Sequence, residues 1–126
     1  MSTFHAVVWI DHQEAHVLMM DPEQPQAQRI VSRGHHKHQG KPDDLAALFA
    51  DVAHALHGAH EVLLTGPGLA RTEFRTWCNA HHPSTAAMIV DNIAADHPSD
   101  AQLFTMAKQY FKKFDALQDP ASSALR

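Results

Sequence analysis

The run Glu61-Val-Leu-Leu-Thr-Gly-Pro-Gly-Leu-Ala-Arg-Thr-Glu-Phe74 decides how the rest of the chain is read. Its first part, Glu61 to Thr65, is a short apolar run with the pattern of a buried strand. Gly66-Pro67-Gly68 then punctuates it, and the spacing beyond predicts a helix over about Leu69 to Ala80. Phe74, Trp77 and Cys78 form that helix's apolar side, and Pro83 closes it. A strand that passes directly into a helix calls for an α/β construction.

Upstream, Phe4 to Ile10 is rich in β-branched and aromatic residues and reads as a strand buried on both faces. Asp11 to Glu14 is a polar break without glycine, and Ala15 to Met20 resumes as a second strand, making a hairpin. After Asp21 to Pro25, Gln28 to Ser32 gives a third, weaker strand at an edge. Leu45, Leu48, Phe49, Val52 and Leu56 recur at helical steps, with Asp43 as the expected N-cap and Gly58 as the stop. Downstream, Ala86 to Val90 is the expected fifth strand. Ser99 to Gln102 has capping-box spacing and opens a helix whose core face is Leu103, Met106, Ala107, Tyr110, Phe111 and Phe114. The order β-β-β-α-β-α-β-α gives three antiparallel strands and two parallel ones in one mixed sheet, the arrangement of a ribonuclease H-like α/β fold. Residues 1–114 are expected to form a single domain and residues 115–126 a frayed tail.

At 126 residues the chain is long enough to bury a real core. No apolar run reaches the roughly 18–20 residues of a membrane span, and no signal-peptide pattern opens the sequence. With one cysteine, Cys78, there is neither an internal disulfide nor a cysteine-based zinc site. That usage fits a reducing cytoplasm.

Charge is distributed unevenly. Of the ten Lys and Arg residues, four (Arg29, Arg33, Lys37 and Lys41) fall between Gln24 and Pro42, where there is no acid, leaving six against fourteen Asp and Glu elsewhere. A basic loop on an acidic body suits a phosphate-bearing partner, with these four side chains as RNA contacts. His35, His36 and His38 share the loop, and neutral imidazoles there offer transition-metal ligands. Histidines on such a loop also take up added metal without a biological purpose, so no native metal is assigned.

Three segments together resemble a known family: Ala6-Val-Val-Trp-Ile-Asp-His-Gln-Glu-Ala15, the run from Val62 to Phe74, and Asp96-His-Pro-Ser-Asp-Ala-Gln102. They look like the middle domain of archaeal and eukaryotic class-I peptide-chain release factors and Pelota. The form is that of the small bacterial single-domain chains often labelled translational machinery proteins. The resemblance runs from about Phe4 to Phe114, and its most specific part is Gly66-Pro67 followed by Arg71-Thr72-Glu73-Phe74. It implies the same ribonuclease H-like fold, translation-associated work in the cytoplasm, and the ribosome, tRNA or rRNA as partner, with no membrane.

In release factors the loop after the third strand carries a Gly-Gly-Gln tip that promotes hydrolysis of the peptidyl-tRNA ester. The matching loop here holds His38-Gln39-Gly40, so Gln39 and Gly40 are the candidate tip, while Lys37 and His38 replace the paired glycines. Glycines permit backbone conformations and close approaches that Lys and His do not. Efficient hydrolysis is therefore not expected. The alternatives are a divergent esterase in which Gln39 positions water, and a homo-oligomeric adaptor domain with no RNA partner.

Other chemistries fare less well. A two-metal nuclease needs clustered carboxylates, and the sequence offers Asp11 and Asp91 at expected strand ends, with Asp51 on a helix face expected to be exposed. Gly66-Pro67-Gly68 lacks a following Gly-Lys-Ser/Thr, and Pro67 removes a backbone donor, so a tight turn is expected there and no cofactor. Cys78 with His81 or His82 would make a nucleophile and base, yet its place beside Trp77 predicts a packed thiol. Trp9, Trp77, Phe111 and Phe114 read as core. Arg71 and Glu73 read as local pairing, and Lys112 and Lys113 as a solvated helix end.

Overall fold

The computed structural model describes residues 4–21, 23–32 and 42–118. The strands are β1 (His5–Ile10), β2 (Glu14–Met19), β3 (Gln26–Val31), β4 (Glu61–Gly66) and β5 (Ile89–Ala94). The helices are α1 (Pro42–Ala55), α2 (Ala70–His81), α3 (Pro83–Met88) and α4 (Asp100–Gln118). The strands lie in one sheet in the order β3-β2-β1-β4-β5. β1, β2 and β3 pair antiparallel, while β1, β4 and β5 run parallel. This is the mixed sheet expected from the sequence, with β3 at its edge.

β1 lies at the centre and is buried on both sides. Ala6, Val8 and Ile10 join Val17 and Leu64 against Leu48, Phe49 and Val52 of α1, Leu56 just after it, and Phe74 and Cys78 of α2. Val7 and Trp9 join Leu18 and Leu63 against Leu103, Ala107 and Phe111 of α4. A strand clad by helices on both faces has no solvent side, which is why β1 and β4 read as continuous apolar runs rather than alternating ones.

The hairpin turn without glycine is built by a carboxylate. Asp11 Oδ1 accepts the backbone N–H groups of Gln13 and Glu14, each at 2.8 Å. It thereby satisfies donors that a glycine turn would hand to the backbone. At the start of α4 the capping box forms in full: Ser99 N–H donates to Gln102 Oε1 (2.8 Å), and Gln102 N–H to Ser99 Oγ (3.2 Å).

Three boundaries differ from expectation. Residues 86–88 are the end of a short helix, α3, and not the start of a strand. Pro83 opens that helix, since proline suits the first helical turn. β5 begins only at Ile89 and runs on through Asp91 and Asn92. α1 begins at Pro42, so Asp43 lies in its first turn instead of capping it. α4 continues to Gln118, past the expected boundary at Phe114, which places Lys112 and Lys113 inside the helix. Among the described residues no helix is long and apolar enough to cross a membrane.

Candidate functional site

The C-terminal ends of β1 and β4 meet the exit of β3 at one edge of the sheet. Ser32 N–H donates to the Gln13 carbonyl at 2.7 Å, tying the last described residue before the basic stretch to the β1–β2 turn. Parallel strand ends of this kind are where open α/β sheets place their ligands. The segment from Arg33 to Lys41 follows Ser32 in the sequence and precedes α1. Arg33, Lys37, Lys41, Gln39, Gly40, His35, His36 and His38 themselves lie outside the described residues.

Beside this root, on the α4 face, four charged or titratable side chains connect in series. Arg29 donates to both carboxylate oxygens of Glu14, Nη2 to Oε1 at 2.7 Å and Nε to Oε2 at 3.1 Å. His16 Nε2 lies 2.7 Å from Glu14 Oε2, and its Nδ1 lies 2.9 Å from Asp100 Oδ1. The Arg29 hydrogen bonds hold the Glu14 carboxyl down at about 2 against the opposing effect of burial, with His16 helping. Glu14 in turn raises the Arg29 guanidinium. Arg29, expected as a phosphate contact, thus already has a bidentate carboxylate partner.

Trp9 floors the adjoining cleft of about 310 Å³, which Asp11, Gln13, Glu14, His16 and His97 also line. Its indole N–H donates to the Asp96 carbonyl at 2.7 Å. Its ring meets His16 edge-on at 5.6 Å and His97 at 5.1 Å. Only 4% of Trp9 is exposed, so it packs as core instead of presenting a face for base stacking. Sequence reasoning missed Glu14, His16 and Asp100. The first two alternate on β2, but their link to Asp100 spans 84 positions.

The run from Gly66 to Phe74 is accounted for by packing. A Cβ on Gly66, whose φ is +153°, would collide with the Ile10 carbonyl oxygen. Arg71 Nε donates to the Gly66 carbonyl (3.2 Å) and Nη1 to Asn92 Oδ1, clamping the turn to β5. Asn92 also reaches Thr72 Oγ1 at 3.4 Å. Glu73 Oε1 pairs with His12 Nε2 at 2.7 Å, and Phe74 is fully buried. The segment fastens strand to helix.

The nuclease pair does not assemble. Asp91 sits near the start of β5, opposite Leu63, which itself lies opposite Val7. Asp11 follows the far end of β1, so four residues and two strand spacings separate the two, roughly 15 Å at strand geometry. Each is engaged locally: Asp11 in its turn, Asp91 with the Asn92 N–H. Asp51 on α1 is half-buried and not exposed as expected. Cys78 is fully buried, and burial pushes its thiol up to about 12. His82 stacks on Trp77 at 5.4 Å and His81 meets it tilted at 5.2 Å, so both imidazoles are engaged with the indole rather than with the buried thiol.

No protein-family model and no curated protein matches this sequence. Solved structures do match. The Pelota protein of Thermoplasma acidophilum superposes with a TM-score of 0.63 at 20% identity, covering 82% of this chain and 31% of its own. The archaeal translation termination factor aRF1 gives 0.56 at 13% identity, over 91% of this chain and 41% of its own. A chain from a model of ribosome-bound archaeal Pelota and ABCE1 gives 0.52 at 16% identity, over 75% of this chain and 28% of its own. This protein therefore has the fold of one part of these translation factors and spans about a third of their length.

Proposed function

We propose that this protein is a translation-associated, ribosome-binding domain that docks through the stretch from Arg33 to Lys41, without efficient peptidyl-tRNA hydrolysis. One observation supports the reading: a fold shared with Pelota and aRF1 has its basic stretch between β3 and α1 in the sequence. Arg33, Lys37 and Lys41 would meet RNA phosphates. Arg29, paired with Glu14, would anchor the root of the stretch. Gln39 and Gly40 would stand nearest the tip, and the absence of paired glycines before Gln39 argues against release-factor chemistry. The absence of a membrane-length helix among the described residues agrees with work beside cytoplasmic ribosomes.

Ribosome co-sedimentation across low to moderate salt tests this reading. Wild type is expected in the ribosomal pellet, and a variant with Arg33, Lys37 and Lys41 changed to alanine in the supernatant. Wild type remaining in the supernatant at low salt would refute it and favour the homo-oligomeric adaptor. Cleavage of a peptidyl-tRNA ester by wild type, lost on Gln39→Ala, would favour the esterase.

A further inference from the structure

The N-terminal ends of the central strands carry a separate constellation. His5 and Glu61 open the parallel neighbours β1 and β4 in direct register, and Asp115 reaches them from α4. His5 Nε2 stands 2.9 Å from Glu61 Oε1 and 3.0 Å from Asp115 Oδ2. The three ligand-type atoms all lie within 4.8 Å of one another. A ring nitrogen carries at most one proton, so a single N–H would have to serve two carboxylate acceptors. The carboxylates also face each other. Two carboxylates thus converge on one imidazole nitrogen, with Lys108 and Lys112 along the same cleft.

We propose that His5, Glu61 and Asp115 form a binding site for one zinc ion. Zinc accepts a neutral imidazole and carboxylate oxygens at about 2.0–2.2 Å, which sets ligands of a tetrahedron about 3.4 Å apart. His5 Nε2 stands 2.9 and 3.0 Å from its two carboxylate oxygens, so closure on a metal needs each of these contacts to lengthen by only tenths of an ångström. The ring plane is already fixed, because His5 stacks on Phe111 with centroids 4.1 Å apart and planes 23° from parallel. Glu61 is fixed by its place in the sheet. Asp115, with its side chain 46% exposed, is the adjustable ligand. Water as a fourth ligand enters from a cleft of about 570 Å³ that His5 and Asp115 border. Bound there, the ion joins the last turns of α4 to β1 and β4. This site is independent of the basic stretch, which follows β3 in the sequence.

The loop histidines are the competing sink, so the test is run in a full-length variant with His35, His36 and His38 changed to alanine. Calorimetric titration with zinc is expected to give one ion per chain, with amide resonances of His5, Glu61 and Asp115 shifting together. Glu61→Gln and Asp115→Asn should each weaken binding by at least the 10–100-fold typical of losing even an outer-shell partner, roughly speaking. Metal-free melting of the two variants checks that each remains folded, and Asp115, on a half-exposed helix position, is the safer of the pair. Loss of all zinc binding with the loop histidines overturns the site. So does undiminished affinity in both carboxylate variants.

Discussion

Gly66 passes directly against the carbonyl of Ile10, with no room for a Cβ and with φ at +153°. That approach sets the turn by which β4 enters α2, and it brings the Gly66 carbonyl to the Ala95 N–H (2.9 Å) and the Arg71 guanidinium. Gly66→Ala is therefore expected to cost about 3 kcal/mol, since a left-handed or otherwise sparsely populated backbone alone costs about 1–3 kcal/mol and the overlap adds to it. Gly68 has nothing within 4 Å of its would-be Cβ. Gly68→Ala should stay within about 0.5 kcal/mol of wild type, as ordinary surface changes do. Denaturant midpoints of the two variants, measured side by side, make the comparison.

The Arg29–Glu14–His16–Asp100 series makes part of the stability pH-dependent. Glu14 ionises at about 2 when folded, against an ordinary value of 4.5. A folded value below the unfolded one means that the carboxylate stabilises fully above 4.5, and that this contribution is lost as pH falls through the interval toward 2. Glu14→Gln should accordingly melt below wild type at neutral pH, with the gap closing between pH 4.5 and 2. A gap that stays constant over that interval would show that the side chain acts through shape instead of charge.

Much of this fold was legible because β1, β4 and the core faces of α1 and α4 carry their burial in their own spacing. What escaped depended on distant partners. Asp91 follows the expected fifth strand in sequence, yet β5 runs through it and Asn92, which Arg71 of α2 reaches. The run Ala86-Ala-Met-Ile-Val90 fits helix or strand by composition, and packing of Ala86 and Met88 on the α2 side of the core settles it as helix first. At the candidate site, charge located the basic stretch but could not show that Arg29 is matched by Glu14. The strand register that brings them together is a tertiary fact.

Thr65 is fully buried on β4, and its hydroxyl has no hydrogen-bond partner among the described residues. An unmet buried hydroxyl costs about 1–3 kcal/mol of desolvation. Valine keeps the branched shape that strands favour and removes the polar atom. Thr65→Val is expected to raise stability by about 1 kcal/mol in urea unfolding, with unchanged slope. A loss of stability would mean that the hydroxyl has a role in the fold that its surroundings do not reveal.

Arg29 and the residues that follow it in the basic stretch should separate in their effect on ribosome binding. Each phosphate contact adds roughly 0.7–0.9 to the magnitude of the slope of log affinity against log salt. Removing Arg33, Lys37 and Lys41 together should thus flatten that slope by about 2 if all three meet phosphate. Arg29 holds both oxygens of Glu14 on its guanidinium at 2.7 and 3.1 Å, so its charge is already balanced by a carboxylate and adds little net charge for a phosphate. Arg29→Ala should leave the slope within about 0.5 of wild type while lowering the melting temperature, because it strips Glu14 of its partner. A slope that falls as much for Arg29→Ala as for each downstream residue would mean that RNA competes successfully with Glu14. The edge of β3 would then belong to the contact surface along with the stretch it leads into.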